Sequence, residues 1–255
     1  MKLLETQGLT KYFGKLAAVS KFDFSIDEGE LRGLIGPNGS GKSTLFGLLS
    51  GFHKADEGKV IWQGLEFTKK APHARVKLGI GRTFQSNVLY DDLTALENVI
   101  IACHLHLGTN LWQQFFRLPK TIEKEKGMEK RAWELLELMG MPDKANVMAK
   151  DLPHGYQRCL GIAIGLATQP KLLMLDEPVA GLNTMETNDV MDRIIKLNKG
   201  GLTVLLVEHN MQTVMRCCRK ITVINFGQKI AEGTPEEITK NQDVIEAYLG
   251  HREIC

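Results

Sequence analysis

No apolar run in the 255 residues reaches the roughly 18 that a membrane-spanning helix needs. The opening stretch, Met1 to Thr10, lacks a charged region followed by an apolar segment, which is what a secretory leader would show. These absences lead us to expect a cytoplasmic protein. Charge of one sign is missing too: 32 basic residues stand against 30 acidic ones, a net of +2, so no electrostatic footprint for nucleic acid is expected. The five cysteines (Cys103, Cys159, Cys217, Cys218 and Cys255) are odd in number and show no C-x-x-C spacing, which argues against metal or redox chemistry and for reduced, mostly core thiols. There is no internal repeat and no low-complexity stretch, and the length suits one large α/β domain or two small ones.

What is present is a set of short aliphatic runs. Leu31 to Ile35, Lys171 to Leu175, Leu202 to Val207 and Ile221 to Phe226 read as strands of a sheet buried on both faces. Lys2 to Leu9, Val19 to Ile26 and Lys59 to Trp62 partly alternate and are separated by Gly14, Asp27 to Gly29 and Gly64, as in an antiparallel sheet beside the parallel one. Strand signal nearly disappears from about Leu93 to Ala167, which reads as a helical insertion. Within it, Met128 to Met139 places Trp133, Leu136 and a following Leu or Met on one helical face. The cluster Trp112, Phe115, Phe116 and Leu118 suits either core or a contact surface. His104 and His106 are spaced as a metal pair but have no third ligand nearby.

Between an apolar strand and a helical pattern (Leu45 to Leu49) stands Gly36-Pro-Asn-Gly-Ser-Gly-Lys-Ser-Thr44, which fits G-x-x-x-x-G-K-[ST]. Glycines at 36, 39 and 41 let successive N–H groups face phosphates at a helix N-terminus; Lys42 adds a point charge and Ser43 a Mg²⁺ ligand. Asn38, Gly39, Ser40, Gly41, Lys42, Ser43 and Thr44 are therefore the candidate ATP-binding set. A second carboxylate site follows at Leu172 to Pro178, where Asp176 and Glu177 end a buried strand: Asp176 to hold Mg²⁺, directly or through water, and Glu177 to act as general base on the attacking water.

These motifs, together with Arg82-Thr-Phe-Gln85, Leu152-Pro-His-Gly-Tyr-Gln157 and Glu208-His209, occur in the order of an ABC-transporter ATPase cassette, which the whole chain resembles. The resemblance implies a P-loop NTPase fold in one domain over 1–255, with a mixed-sheet, RecA-like core and antiparallel β subdomain at 1–92 and 166–255 and a helical subdomain at 93–165. It also implies that Gln85 contacts Mg²⁺ and couples to the helical part, that His209 senses the γ-phosphate, and that Phe13, with Tyr12 as the adjacent candidate, stacks on adenine. Taken alone, His209 would read as a histidine capping a strand end, and Phe13 could pack in the core.

The family's signature is usually Leu-Ser-Gly-Gly-Gln; here Pro153 takes the serine position and His154 the first glycine, leaving Gly155 to serve the partner's nucleotide in trans. Asn183 stands where most cassettes carry aspartate. The implied assembly is a head-to-tail pair of cassettes, identical or different, on transmembrane permease subunits at the inner face of the plasma membrane, indirectly served by a substrate-binding protein. Val88, Leu89 and Tyr90 are candidate docking residues or core. Ile80 to Gln85, the insertion from Ala102 to Pro119, Asp176 to Gly181 and the ending Asp243 to Gly250 look most like importers of branched-chain amino acids. Urea or short-amide importers and, more distantly, the lipopolysaccharide-export ATPase look similar. An ATP-sensing interaction protein without turnover is the alternative of another class. A soluble cassette protein of translation or repair would carry two fused cassettes or a coiled-coil insert, and a P-loop kinase would not explain the signature or His209.

Overall fold

The partly alternating N-terminal segments form long strands. In a computed structural model, which describes residues 1–83, 89–104 and 119–249, β1 (Lys2–Phe13) pairs antiparallel with β2 (Leu16–Asp27) on one side and with β4 (Glu57–Trp62) on the other. β5 (Leu65–Glu66) completes the sheet β2-β1-β4-β5. The aliphatic runs give the second sheet. β3 (Leu31–Ile35), β7 (Leu172–Asp176) and β8 (Thr203–Val207) are buried at every residue, as a sheet covered on both faces requires. β9 (Lys220–Asn225) joins them, and the order is β10-β9-β3-β8-β7-β6, parallel except for the antiparallel hairpin strand β10 (Gln228–Gly233). Two members escape a reading by apolar runs: β6 (Ile80–Arg82) is three residues long with a glycine at its centre, and β10 is half-exposed and polar.

Helix α1 (Lys42–Ser50) contributes Leu45, Phe46, Leu48 and Leu49 to a core that includes Leu34, Leu205 and Ile224 of one sheet and Leu9, Phe22 and Phe24 of the other. Its C-terminal carbonyls are capped from outside the helix. Arg75 of α2 (Pro72–Lys77), 2 % exposed, donates to Leu48 O and Leu49 O at 2.7 Å and to Thr68 O and Lys70 O, with its guanidinium over the Phe67 ring. A buried charge is tolerable only when so fully partnered. Burial still pushes this guanidinium down to about 10.

The chain divides into two compact units, 1–82 with 171–177 and 194–255, and 83–170 with 178–193. Both sheets belong to the first, as do α7 (Met211–Cys217), α8 (Pro235–Lys240) and α9 (Gln242–Leu249). The second contains α3 (Ala95–Cys103), α4 (Pro119–Leu138), α5 (His154–Ala167) and the first part of α6 (Thr184–Lys199); α3 packs on α4 and α5. Thr94 and Glu97 form a capping box at the start of α3, and buried Asn98 ties its amide to Tyr90 O and Thr94 O.

One expectation for α4 is corrected. Its buried stripe is Ala132, Leu135, Leu136 and Met139, at i, i+3, i+4 and i+7, whereas Trp133 stands one position off the stripe and is 37 % exposed. The aromatic cluster at 112–118, His106 and Val88 lie outside the described residues. Cys103, Cys159 and Cys218 are buried free thiols and Cys217 is half-buried.

The β9–β10 hairpin carries a charge network. Glu232 pairs with Lys220, Lys229 and buried Arg32, which also meets Glu30. Burial alone would raise the Glu232 carboxyl, but these cations outweigh it and hold the group at about 2, below its ordinary 4.5. A depressed folded-state carboxyl adds stability that is fully present above pH 4.5 and is lost as pH falls from there toward 2. Glu232→Gln should therefore lower the urea midpoint at pH 7 and flatten its acid dependence between pH 4.5 and 3. A mutant that loses stability in parallel with the parent over that range contradicts this assignment.

Candidate functional site

The carboxyl ends of β3, β8 and β7 lie side by side, and each is followed by one of the motifs. After β3 the chain turns through Gly36 to Gly41 into α1, whose N-cap residue Gly41 sits at φ 108° and offers no side-chain cap. Its first amides are thus left to an external acceptor. Two of these glycines, Gly36 and Gly41, are sterically required. A Cβ on Gly36 would run into the carbonyl oxygen of Ile224 and lie 2.7 Å from Ser40 Oγ, and one on Gly41 would strike the carbonyl of Ala18. Lys42 curls back so that Nζ donates to Gly36 O (2.7 Å) and Pro37 O (2.9 Å), closing the loop around its own ammonium. Burial lowers the Lys42 amine, while the charges of Glu177 and Asp176 act against that.

Asp176, 6 % exposed, ends β7. Burial raises its carboxyl; Arg82, whose Nη2 is 3.2 Å from Oδ2, opposes the rise, and Lys42 does so more weakly. Glu177 follows in the left-handed region at φ 48°, unusual for a non-glycine residue, with its N–H bonded to Val207 O of β8 at 2.9 Å. That bond swings its side chain toward the next strand end, where Oε2 is 3.9 Å from Nδ1 of His209. His209 is 57 % exposed and so able to meet a ligand, whereas Glu208 beside it is fully buried.

A polyphosphate fits this loop: an uncapped helix end, a buried lysine and a backbone too tight for side chains point at one place. A cleft of about 460 Å³ is lined by Asn38 and Ser40 of the loop together with Phe226, Asp243 and Glu246, and its two carboxylates make it unsuited to phosphate. Mg²⁺ is also compatible with the donor set. It is commonly held by one or two protein oxygens with substrate phosphates making up the rest, and Ser43 with Asp176 offers that much. No group of three or more His, Cys, Asp or Glu suited to a metal occurs among the described residues, and His104 Nδ1 instead sits 2.9 Å from Ile100 O of its own helix.

Phe13 and Tyr12 are 47 % and 42 % exposed at the end of β1, so neither is core. Asp56 anchors this strand end by accepting from Tyr12 N and pairing with Lys11. The Phe13 ring stands at 83° to that of His53, centroids 5.7 Å apart, and Lys11 Nζ lies over its face at 5.6 Å. Gln85 lies outside the described residues.

In the second unit, Pro153 occupies the N-cap position of α5 with no side-chain cap, and Gly155 is half-buried in its first turn. Counting five residues from Leu152 puts Tyr156, not Gln157, at the last position of the signature. Tyr156 packs under the cations of Lys144 and Arg193. Arg158 donates to Ala180 O at 3.1 Å, joining this helix to the loop after β7. Asn183 caps α6, its Oδ1 accepting from Met185 N and Glu186 N while Asn183 N donates to Glu186 Oε2. An amide does this as well as a carboxylate. Arg75, Arg82 and Tyr156 were given no role in reading the sequence, although Arg82 stands inside a quoted motif.

A family model described as ABC transporter matches residues 19–180, and one described as branched-chain amino acid ATP-binding cassette transporter matches 228–254. The chain is 42 % identical over 249 residues to the high-affinity branched-chain amino acid transport ATP-binding protein BraF of Pseudomonas aeruginosa, covering 97 % of this chain and 98 % of that protein. It is 40 % identical to LivG of Escherichia coli over the same shares. Among solved structures it is similar to a nucleotide-free ATP-binding cassette from an ABC transporter, with TM-score 0.86, 33 % identity, and coverage of 98 % of this chain and 100 % of that one. A dimeric cassette in a post-hydrolysis state with ADP and Pi gives TM-score 0.75 and 27 % identity, covering 91 % and 99 %. With three adjacent strand ends carrying the motifs in order and relatives matched along nearly its entire length, the chain belongs to the ABC transporter family as one of its ATPase cassettes.

Proposed function

We propose that this cassette couples hydrolysis of Mg²⁺-bound ATP to the import of branched-chain amino acids through a membrane permease. The observation that carries the chemistry is the convergence of Lys42, Asp176, Glu177 and His209 at neighbouring strand ends, with Glu177 and His209 3.9 Å apart. The loop amides of Asn38 to Thr44 and the Lys42 ammonium receive the phosphates, Lys42 exchanging two carbonyl partners for charged oxygens. Ser43 and Asp176, with Gln85, would hold Mg²⁺, which would supply charge neutralisation to the phosphates. Glu177 takes a proton from the attacking water as its oxygen bonds to the γ-phosphorus and the bond to the β–γ bridging oxygen breaks, releasing ADP and phosphate. His209 orients the γ-phosphate and holds Glu177 in place. Phe13, or Tyr12 beside it, stacks on the adenine.

Two cassettes close head to tail, Gly155 and the α5 N-terminus of one facing the nucleotide of the other, since Pro153 cannot supply a hydroxyl there. The core at 1–92 and 166–255 carries the nucleotide, and the helical part at 93–165 passes closure to a permease docked near Leu89 and Tyr90, the latter 55 % exposed. In this arrangement the chain works at the inner face of the plasma membrane. The names of BraF and LivG and the match at 228–254 favour branched-chain amino acids as cargo. ATPase activity of the purified chain should rise more than linearly with protein concentration, because the competent species is a pair. A strictly linear dependence down to nanomolar protein would contradict action across a dimer.

A further inference from the structure

Arg82 is neither on the phosphate loop nor a ligand in the reading above, yet its surroundings are those of a built support. It ends the edge strand β6, next to β7, and its side chain is 15 % exposed. Its guanidinium lies between two aromatic rings, 5.4 Å from the centre of Phe46 on α1 and 5.4 Å from that of Phe52 just beyond it. From this seat Nη1 donates to Ser50 Oγ at 2.9 Å, and Nη2 reaches Asp176 Oδ2 at 3.2 Å. Ser50 is itself fixed through Oγ to Phe46 O at 2.7 Å. One planar group therefore ties the last turn of the phosphate-loop helix to the carboxylate at the end of β7.

The geometry points to Arg82 as a positioning residue that locks the Asp176 carboxylate by one oxygen, so that the other is presented to the Mg²⁺ of bound ATP. This rests on the proposed Mg²⁺ site. A carboxylate that can rotate freely loses part of its metal affinity to the cost of being ordered, and partners of this kind are typically worth 10- to 100-fold in metal binding. A lysine could keep the charge but not the fork that engages Ser50 and Asp176 together. The opposite expectation is also physical: a cation 3.2 Å from the carboxylate repels an incoming metal, so if charge alone mattered, its removal would tighten binding.

Mn²⁺ is the probe, titrated by electron paramagnetic resonance into the full chain saturated with a non-hydrolysable ATP analogue, with analogue binding in EDTA measured separately by fluorescence. Arg82→Met is expected to weaken Mn²⁺ about tenfold while metal-free analogue affinity stays within about twofold, and Arg82→Lys to recover part of the loss. Unchanged or tighter Mn²⁺ binding in Arg82→Met overturns the inference. So does an equal loss of analogue affinity in EDTA, which marks a general disturbance of the loop. If Arg82→Met does not fold, Arg82→Lys decides alone: Mn²⁺ affinity equal to the parent's overturns the inference. Asp176→Asn separates the two levels, because parental Mn²⁺ affinity in that variant removes the metal-site reading itself, whereas a loss there without one in Arg82→Met removes only the role of Arg82.

Discussion

Glu177→Gln is expected to cut ATP turnover by at least about 100-fold while leaving ATP affinity within about twofold. The amide keeps the size of the side chain and its ability to hydrogen-bond, but cannot accept the proton of an attacking water. The backbone of residue 177 should be undisturbed, since its left-handed φ of 48° is secured by the N–H bond to Val207 O and does not involve the side chain. His209, 3.9 Å away, keeps a polar partner. Steady-state phosphate release and equilibrium binding of a fluorescent ATP analogue together check this. Turnover within fivefold of the parent would remove Glu177 from the base's role and leave water activation to another group.

Gly36→Ala should be nearly as damaging by a different route: nucleotide affinity down by roughly 100-fold, in line with a displacement of about 1 Å at the binding groups, and stability down by about 1–3 kcal/mol from overpacking. The added methyl meets the backbone carbonyl of Ile224 on β9, which cannot yield without pulling on the β3–β9 pairing. It also presses on Ser40 Oγ, so the loop must shift. Gly39→Ala forms the comparison, since a Cβ there meets nothing within 4 Å and only the φ of 76° opposes it. Isothermal titration with ATP and urea unfolding of both variants test the difference. An effect at Gly36 no larger than that at Gly39 would mean that the close approach to β9 does not govern the loop.

How much of this could be read beforehand depended on which physical signal each residue gives. Leu31 to Ile35, Leu172 to Leu175 and Thr203 to Val207 announce themselves because a strand covered on both faces must be aliphatic throughout. The phosphate loop is legible because its glycines, lysine and serine meet separate steric and electrostatic demands at fixed spacing. β6 was not legible as a strand: three residues with a central glycine carry no periodicity, and only pairing with β7 makes them one.

Trp133 misled because an aromatic near an apolar stripe looks like part of it, although Ala132 and Leu135 fill the face and leave the indole at its margin. Arg75 and Arg82 were silent for a deeper reason. A buried or half-buried arginine is stabilised by carbonyls and carboxylates brought from distant parts of the chain, Leu48 and Leu49 for one and Asp176 for the other, and no local pattern encodes those meetings. Asn183 looked like a loss of charge at a functional loop; its geometry shows a helix cap that an amide serves fully.

Light scattering of purified Glu177→Gln tests the proposed ATP-driven pairing of two cassettes most directly. With Mg²⁺ and ATP the variant should run at the mass of a dimer, and after exchange into ADP at that of one 28.5 kDa chain. A variant that binds ATP and yet stays at the single-chain mass at every concentration would contradict pairing of this chain with itself.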